Sequence, residues 1–255
     1  MTTAQTNLWR ERLRAPAYRV AEAARYARTT TQTIGNWQRI RGDRRGAIGV
    51  RWAQMPLSYL QLIEVGVIAA MRKSGVTLQK IRQAREYLCE QFNSEFPFAH
   101  YRFKTDGKSL FMDYDQIEAS AKQKLIALND HGQLAWNEIL SRLLQEFEYD
   151  PDIGTVLRWK VDGIDSPVRV DPRVAFGAPQ VHGIPTWVLR ERWMSGENLA
   201  DIAGDYELEL QLVTSALRFE GIEVDPDRPS TTLADLLTPP LAANPFSTMR
   251  ASLRR

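Results

Sequence analysis

Four short polar side chains, Thr31, Gln32, Thr33 and Asn36, follow a turn and open a candidate helix whose apolar positions are Ile34 and Trp37. Hydroxyl and amide groups presented from the first turns of a helix are the chemistry that hydrogen-bonds base edges in a DNA major groove. Cations able to hold phosphates flank them, Arg28 on one side and Arg39, Arg41, Arg44 and Arg45 on the other. The first 52 residues hold eleven arginines and three acids, a net +8, although the whole chain is only +2. The other 203 residues therefore carry −6. A basic pole joined to an acidic remainder points to a nucleic-acid-facing module attached to something else.

A pair of short helices must set these residues. Val20, Ala23, Ala24 and Ala27 recur at spacings of three and four, which predicts a helix with a narrow stripe of small residues against which a second helix packs closely. Thr29 or Thr30 is placed to cap that second helix, its hydroxyl accepting from an orphan backbone N–H. The stretch from 40 to 55 is interrupted by Gly42, Gly46 and Gly49, so it predicts a loop or wing lying along a DNA backbone. Leu57, Leu60, Leu62, Ile63, Val67, Ile68 and Met71 then predict one long helix ending at Gly75. Leu78, Ile81, Ala84 and Leu88 predict another, starting after Thr77. Asp106-Gly107, between Tyr101-Arg102-Phe103 and Leu110-Phe111-Met112, predicts a hairpin that closes this domain near residue 114.

The order helix-turn-helix with Ala23-Ala24 and Trp37, a wing, and a helix pair hinged at Gly75-Val76-Thr77-Leu78 with Ile81 resembles the DNA-binding domain of MerR-type regulators over about residues 15–92. The resemblance implies a winged helix-turn-helix. This chain lacks the long dimerising coiled coil and the cysteines of the metal-sensing members, so metal sensing is not carried over.

Apolar residues from Ile117 to Phe147 predict a helical linker over 115–153, broken at Gly132. Two strand-like runs, Thr155–Val161 and Val168–Val170, predict a hairpin opening a second domain at 154. Beyond it, one helix ends at Met194-Ser195-Gly196, a short one covers Glu197–Ala203, and Asp205 or Tyr206 turns the chain into Leu208–Phe219. Leu189, Trp193, Leu199, Ile202, Leu210, Val213 and Leu217 are its predicted core. This module resembles the small helical domain that recurs in VapB-like antitoxins paired with PIN-type ribonuclease toxins. The matching positions are Asp171, Pro172, Gly177, Pro179, Val181, Gly183, Ile184, Pro185, Thr186, Gly196, Ile202, Ala203, Asp205, Tyr206, Val213 and Ala216. The chain departs from the pattern where most members carry Thr-Arg, since Gly183 is followed at once by Ile184. A partner contact made through that arginine would have to come from elsewhere, such as His182 or Arg190. The family's Glu-Gly pair is also displaced, to Ser195-Gly196-Glu197.

The tail, 225–255, is proline-rich and too short to bury a core alone. It nevertheless carries Leu233, Leu236, Leu237, Leu241 and Phe246, with a basic end at Arg250, Arg254 and Arg255. It is expected to be disordered when free and to fold onto a partner. No Gly-rich phosphate loop, metal motif or nucleophile–base pair is visible, so no enzyme activity and no cofactor are expected. His100, His131 and His182 are scattered, and Asp150, Asp152, Asp162 and Asp165 sit around loops, so no metal site is predicted. Cys89, the single cysteine, excludes an intramolecular disulfide and reads as a small core residue. With no signal-peptide run and no membrane span, the expected location is the cytoplasm.

The expected fold is mainly α with small β-hairpins. It comprises a MerR-like DNA-binding domain over 1–114, the linker over 115–153, an antitoxin-associated domain over 154–224 and the tail. The function implied is that of a type II antitoxin, a homodimer that binds operator double-stranded DNA, represses its own operon and neutralises a PIN-type ribonuclease. The alternative is a MerR-like transcription regulator whose C-terminal domain dimerises or binds a ligand, with no toxin partner.

Overall fold

The computed structural model describes residues 9–39, 46–48, 55–100, 103, 141–150 and 152–224. The chain divides into two compact units, 1–186 and 187–255. In the first unit, the two short helices expected from the sequence are present, α1 (Val20–Tyr26) and α2 (Thr31–Gln38), joined by a short turn. A two-stranded antiparallel ribbon, β1 (Pro16–Tyr18) with β2 (Leu57–Ser58), holds the two ends of the module together. Two longer helices follow, α3 (Tyr59–Lys73) and α4 (Leu78–Phe92). Next come a 3₁₀ turn at Pro97–Ala99 and one five-stranded antiparallel sheet. The sheet runs in sequence order: β3 (Phe147–Asp150), β4 (Thr155–Trp159), β5 (Arg169–Val170), β6 (Pro179–Val181) and β7 (Ile184–Pro185).

Helix α3 is buried on all sides. Thirteen of its fifteen residues are buried, from Tyr59 to Met71, which is the signature of a helix surrounded by protein. It touches α1, α4, β1, β2 and β4. Its start is fixed by a reciprocal capping box. Gln61 N–H donates to Ser58 Oγ at 3.3 Å, and Ser58 N–H donates to Gln61 Oε1 at 2.9 Å. Leu57 therefore lies outside the helix, paired in β2, where periodicity alone had it as the first helical residue. Gly66 presents a bare backbone to Trp159 of β4; a Cβ there would sit 3.1 Å from the indole ring.

The burial of α3 includes a charge. Glu64 is fully buried and receives a bond from Arg85 Nε of α4 at 3.1 Å, with Arg85 itself only 5% exposed. Burial disfavours the Arg85 cation, but the Glu64 carboxylate beside it outweighs this and holds its pKa above the ordinary value. The second helix of the pair is capped as its sequence implies, Lys80 N–H donating to Thr77 Oγ1 at 3.3 Å. Cys89 is half-buried on α4, not a core residue.

The sheet is larger than the separate hairpins expected from the sequence. The β4–β5 pairing is the predicted hairpin, with Trp159 opposite Val170. Phe147, however, does not continue a helix. Residues 141–145 are helical, and the chain then straightens so that Phe147 pairs with Trp159 across β3–β4. That pairing places the two rings edge to face at 5.7 Å, and Trp159 Nε1 donates to Glu146 at 3.1 Å. The β6–β7 turn is two residues, His182 at φ 47° and Gly183 at φ 91°. This is the backbone of a tight hairpin.

Asp171, just after β5, ties the sheet's loops together. It is 2% exposed and accepts from Arg158 Nε at 2.8 Å, from Arg173 Nη2 at 2.8 Å and from the Arg173 backbone N–H at 2.9 Å. Burial pushes its pKa up, but the bonds from Arg173 and Arg158 outweigh it and hold the carboxyl below its ordinary 3.8. Nearby, Gly177 at φ 81° packs under Tyr18, and a Cβ there would overlap the phenol oxygen at 2.0 Å.

In the second unit, α5 (Thr186–Met194), α6 (Leu199–Asp205) and α7 (Leu210–Phe219) enclose Leu189, Trp193, Leu199, Ile202, Val213, Ala216 and Leu217. Both later helices begin two residues beyond the expected positions; α6 does so because Asn198 caps it, its side chain accepting from Asp201 N–H at 2.8 Å. Leu210 is not core; it is 52% exposed in the first turn of α7. The predicted 101–112 hairpin and most of the predicted linker lie outside the described residues, as does the tail. Phe103 is buried against Phe98.

Two predictions follow from the charged contacts. Arg85→Met, which strands the Glu64 carboxylate, should cost about 3–5 kcal/mol in urea unfolding, and Glu64→Leu with Arg85→Met should recover most of it. A loss under about 1 kcal/mol for the single variant would show that the pair is not a constraint. Asp171 has a depressed pKa in the folded state, so its contribution is complete above pH 3.8 and is lost as pH falls through the lower native value. Acid unfolding of Asp171→Asn should accordingly lose part of the wild-type pH dependence below 3.8, while its stability at neutral pH falls by about 1.5–3 kcal/mol.

Candidate nucleic-acid interface

The small residues of α1 do what their spacing implies. Ala23 and Ala24 are buried, and α2 packs on them through Ile34 and Trp37, which are 0% and 3% exposed. Between the helices the chain makes a tight reversal. Arg28 adopts φ 52°, its N–H donates to Arg25 O at 3.1 Å, and Thr29 N–H donates back to Ala24 O at 2.9 Å. These bonds satisfy the last carbonyls of α1. Thr30 caps α2, accepting from Thr33 N–H at 3.1 Å.

The four polar residues do not stand equally free. Thr31, Gln32 and Asn36 are exposed. Thr33 is half-buried, and its hydroxyl lies 2.8 Å from that of Thr30, so it serves the cap. The far end of α2 is held by α4, whose Arg82 Nη2 donates to Asn36 O at 3.3 Å and Arg39 O at 3.4 Å. A cation on the last carbonyls of a helix also complements its dipole. Past the helix, Ala47 N–H donates to Trp37 O at 2.8 Å. The chain returns so closely that a Cβ on Gly46 would meet Gln38 O at 3.0 Å and Ile48 O at 3.1 Å.

Of the predicted phosphate arginines, Arg39 is exposed at the end of α2. Arg28 is exposed and sits 3.4 Å from Asp162. A pair so open to solvent holds the side chain by about 0–1 kcal/mol at most and yields readily to a phosphate. Arg41, Arg44 and Arg45 lie outside the described residues, as do Leu233, Leu236, Leu237, Leu241, Phe246, Arg250, Arg254 and Arg255.

Several other N-terminal arginines have structural partners that a charge count does not reveal. Arg12 stacks over Phe176 at 4.8 Å, Arg14 over Phe96 at 5.3 Å and Arg25 over Tyr26 at 5.2 Å. Arg14 also pairs with Glu95 at 3.2 Å. The contacts that position the interface most directly, Arg82 on the α2 carbonyls and Glu64 with Arg85, were not singled out in the sequence. An arginine three residues from another on an amphipathic helix was the available signal. Among the described residues no cluster of His, Cys, Asp and Glu could hold a metal ion, and no helix is long and apolar enough to cross a membrane.

No family model matches the chain. A protein of Mycobacterium tuberculosis (strain ATCC 25618 / H37Rv), provisionally named antitoxin VapB45, is 24% identical over 209 residues, which span 74% of this chain and 82% of that protein. The crystal structure of Rv2018 from Mycobacterium tuberculosis aligns with a TM-score of 0.65 at 21% identity, covering 81% of this chain and 99% of that one. The chain therefore shares the fold of that protein.

The cap makes one prediction about the site's integrity. Thr30→Ala removes the acceptor for Thr33 N–H and should lower thermal stability by about 1 kcal/mol. Thr30→Asp, which restores an acceptor, should recover that loss; an unchanged melting temperature for Thr30→Ala would show that α2 does not depend on its cap.

Proposed function

We propose that this chain is the antitoxin of a type II toxin–antitoxin pair, which binds a PIN-type ribonuclease and represses its own operon through the helix-turn-helix of α1 and α2. The observation that carries the reading is the likeness, over three-quarters of the chain, to a protein named as a VapB antitoxin. The geometry of the first unit supports the DNA-binding half. A capped helix presents Thr31, Gln32 and Asn36 outward, and Arg28 and Arg39 stand at its two ends in a chain segment of net +8. Base-edge groups on an exposed helix with cations beside them are what a major groove requires.

In this reading Gln32 and Asn36 contact bases, with Thr31 beside them, and Thr33 holds the helix start. Arg28, Arg39, Arg41, Arg44 and Arg45 contact phosphates. Dimerisation would match two modules to the halves of a palindromic operator. The tail, with Leu233, Leu236, Leu237, Leu241 and Phe246 and its three terminal arginines, would fold onto the ribonuclease. Its guanidinium groups would pair with the carboxylates of a metal-dependent active site through charge-assisted hydrogen bonds.

Co-expression with the product of the adjacent gene tests the reading. The expected result is co-purification of a ribonuclease and relief of its toxicity. A harmless neighbour that does not bind would move the weight to a MerR-like regulator without a toxin. For the DNA half, Arg39→Ala should weaken binding to all duplexes and reduce the salt slope by about one, while Gln32→Ala should cost about 1–3 kcal/mol on the operator and relax its specificity. Wild-type mobility shifts for both variants would remove α2 as the recognition helix.

A further inference from the structure

The turn between α1 and α2 occurs twice. At a constant offset of 179 residues, the turn between α6 and α7 repeats its positive-φ residue and its two closing backbone bonds. Helices α1 and α6 are each seven residues long. Glu207 has φ 53° where Arg28 has 52°. Glu207 N–H donates to Gly204 O at 3.2 Å and Leu208 N–H to Ala203 O at 2.9 Å, the counterparts of the bonds made by Arg28 and Thr29. The buried faces correspond as well. Ile202 and Ala203 stand where Ala23 and Ala24 do, and Val213 and Ala216 where Ile34 and Trp37 do.

The outward residues are different in kind. The cation Arg28 is replaced by Glu207, the cap Thr30 by Glu209, and Thr31, at the head of the recognition helix, by Leu210, which is 52% exposed. Only Gln32 keeps its type, as Gln211. Residues 187–224 hold eight acids and three arginines, a net −5. Two of those arginines are engaged within the unit, Arg192 with Glu197 and with Asp205 at 2.6 Å, and Arg190 with Glu191 at 2.6 Å. This surface repels a phosphate backbone. An exposed leucine at the recognition position, flanked by carboxylates, is complementary to a protein surface that is cationic and has an apolar recess.

A ribonuclease must hold RNA phosphates, and the surface that does so is cationic. We propose that the second helix-turn-helix docks on that surface: Leu210 seats in the partner, Glu207 and Glu209 meet its phosphate-binding cations, and the module reads no DNA. This rests on the antitoxin reading above and gives it a second contact, independent of the tail.

The test uses the full-length chain, the purified product of the adjacent gene, and the duplex upstream of this chain's own gene. Glu207→Lys with Glu209→Lys, and separately Leu210→Asp, should each weaken ribonuclease binding by about tenfold or more, with the charge variant losing most of the salt dependence. Leu210→Ala, which adds no charge, should weaken it by a smaller factor. All three should melt like wild type and bind the duplex within about twofold of it. Undiminished ribonuclease binding by the variants overturns the docking proposal alone and leaves the antitoxin reading standing. Weakened duplex binding by Leu210→Ala overturns it in favour of a second DNA-reading helix. A change in self-association, with ribonuclease binding intact, overturns it in favour of a contact with the basic segment of a second copy. Failure of the wild-type chain to bind the neighbour's product overturns both readings.

Discussion

A carboxylate with no access to water dictates much of the first unit. Glu64 lies in the middle of a helix buried on every side, and a charge in that position is tolerable only with a cation beside it. Arg85 is that cation, and meeting Glu64 fixes both the rotation of α4 and its position along α3. Three residues earlier on the same helix, Arg82 reaches the carbonyls at the end of α2. The orientation of the candidate recognition helix is therefore set from below by a buried ion pair it does not touch. On the opposite side, the bare backbone of Gly66 admits Trp159, which couples α3 to the sheet. A hydrophobic pair in place of Glu64 and Arg85 could match their stability, but it would fix the rotation of α4 less narrowly.

The arginines divide by task. Those stacked on Phe176, Phe96 and Tyr26 spend their planar faces on packing. Stacking does not remove their charge, so they still contribute to the positive field around the module. Direct phosphate contact needs a guanidinium that can leave its present partner at little cost, and Arg28 and Arg39 meet that condition among the described residues.

What could be read from the sequence was local. The alanine stripe, the Thr30 and Thr77 caps, the Gly75 stop and the β4–β5 hairpin depend on residues a few positions apart, and each is where its signal placed it. The apolar run ending at Phe147 has helical spacing, yet Phe147 is drawn into a strand because Trp159, twelve residues on, offers it a ring and a ladder. Leu57 shows a local signal overruled by a better one, since Ser58 with Gln61 is a capping box that starts the helix only at Tyr59. Leu210 fits the period of a core residue and is nevertheless exposed, because the register of α7 is set by Val213, Ala216 and Leu217. The candidate site was legible as residue types; which of them stand free was not, because Thr33 is claimed by a cap and Arg28 by an acid far along the chain.

The two matching turns, between α1 and α2 and between α6 and α7, show why one backbone can carry opposite surfaces. They are closed by main-chain bonds alone, from the residue at positive φ and the one after it. No side chain takes part, so the residue at the reversal is free in type provided it accepts the left-handed conformation, which costs a non-glycine residue about 1–2 kcal/mol. Arginine accepts it at position 28 and glutamate at position 207. The buried side is constrained in both copies to small or aliphatic residues, apart from Trp37, while the outward side is constrained mainly where a cap is made, as at Thr30. Shape is thus fixed by the interior and chemistry by the exterior, and a helix-turn-helix outline does not by itself imply a nucleic-acid ligand. The sign of the charge at the turn decides whether phosphate is attracted or repelled. In this chain that sign is positive in the first copy and negative in the second.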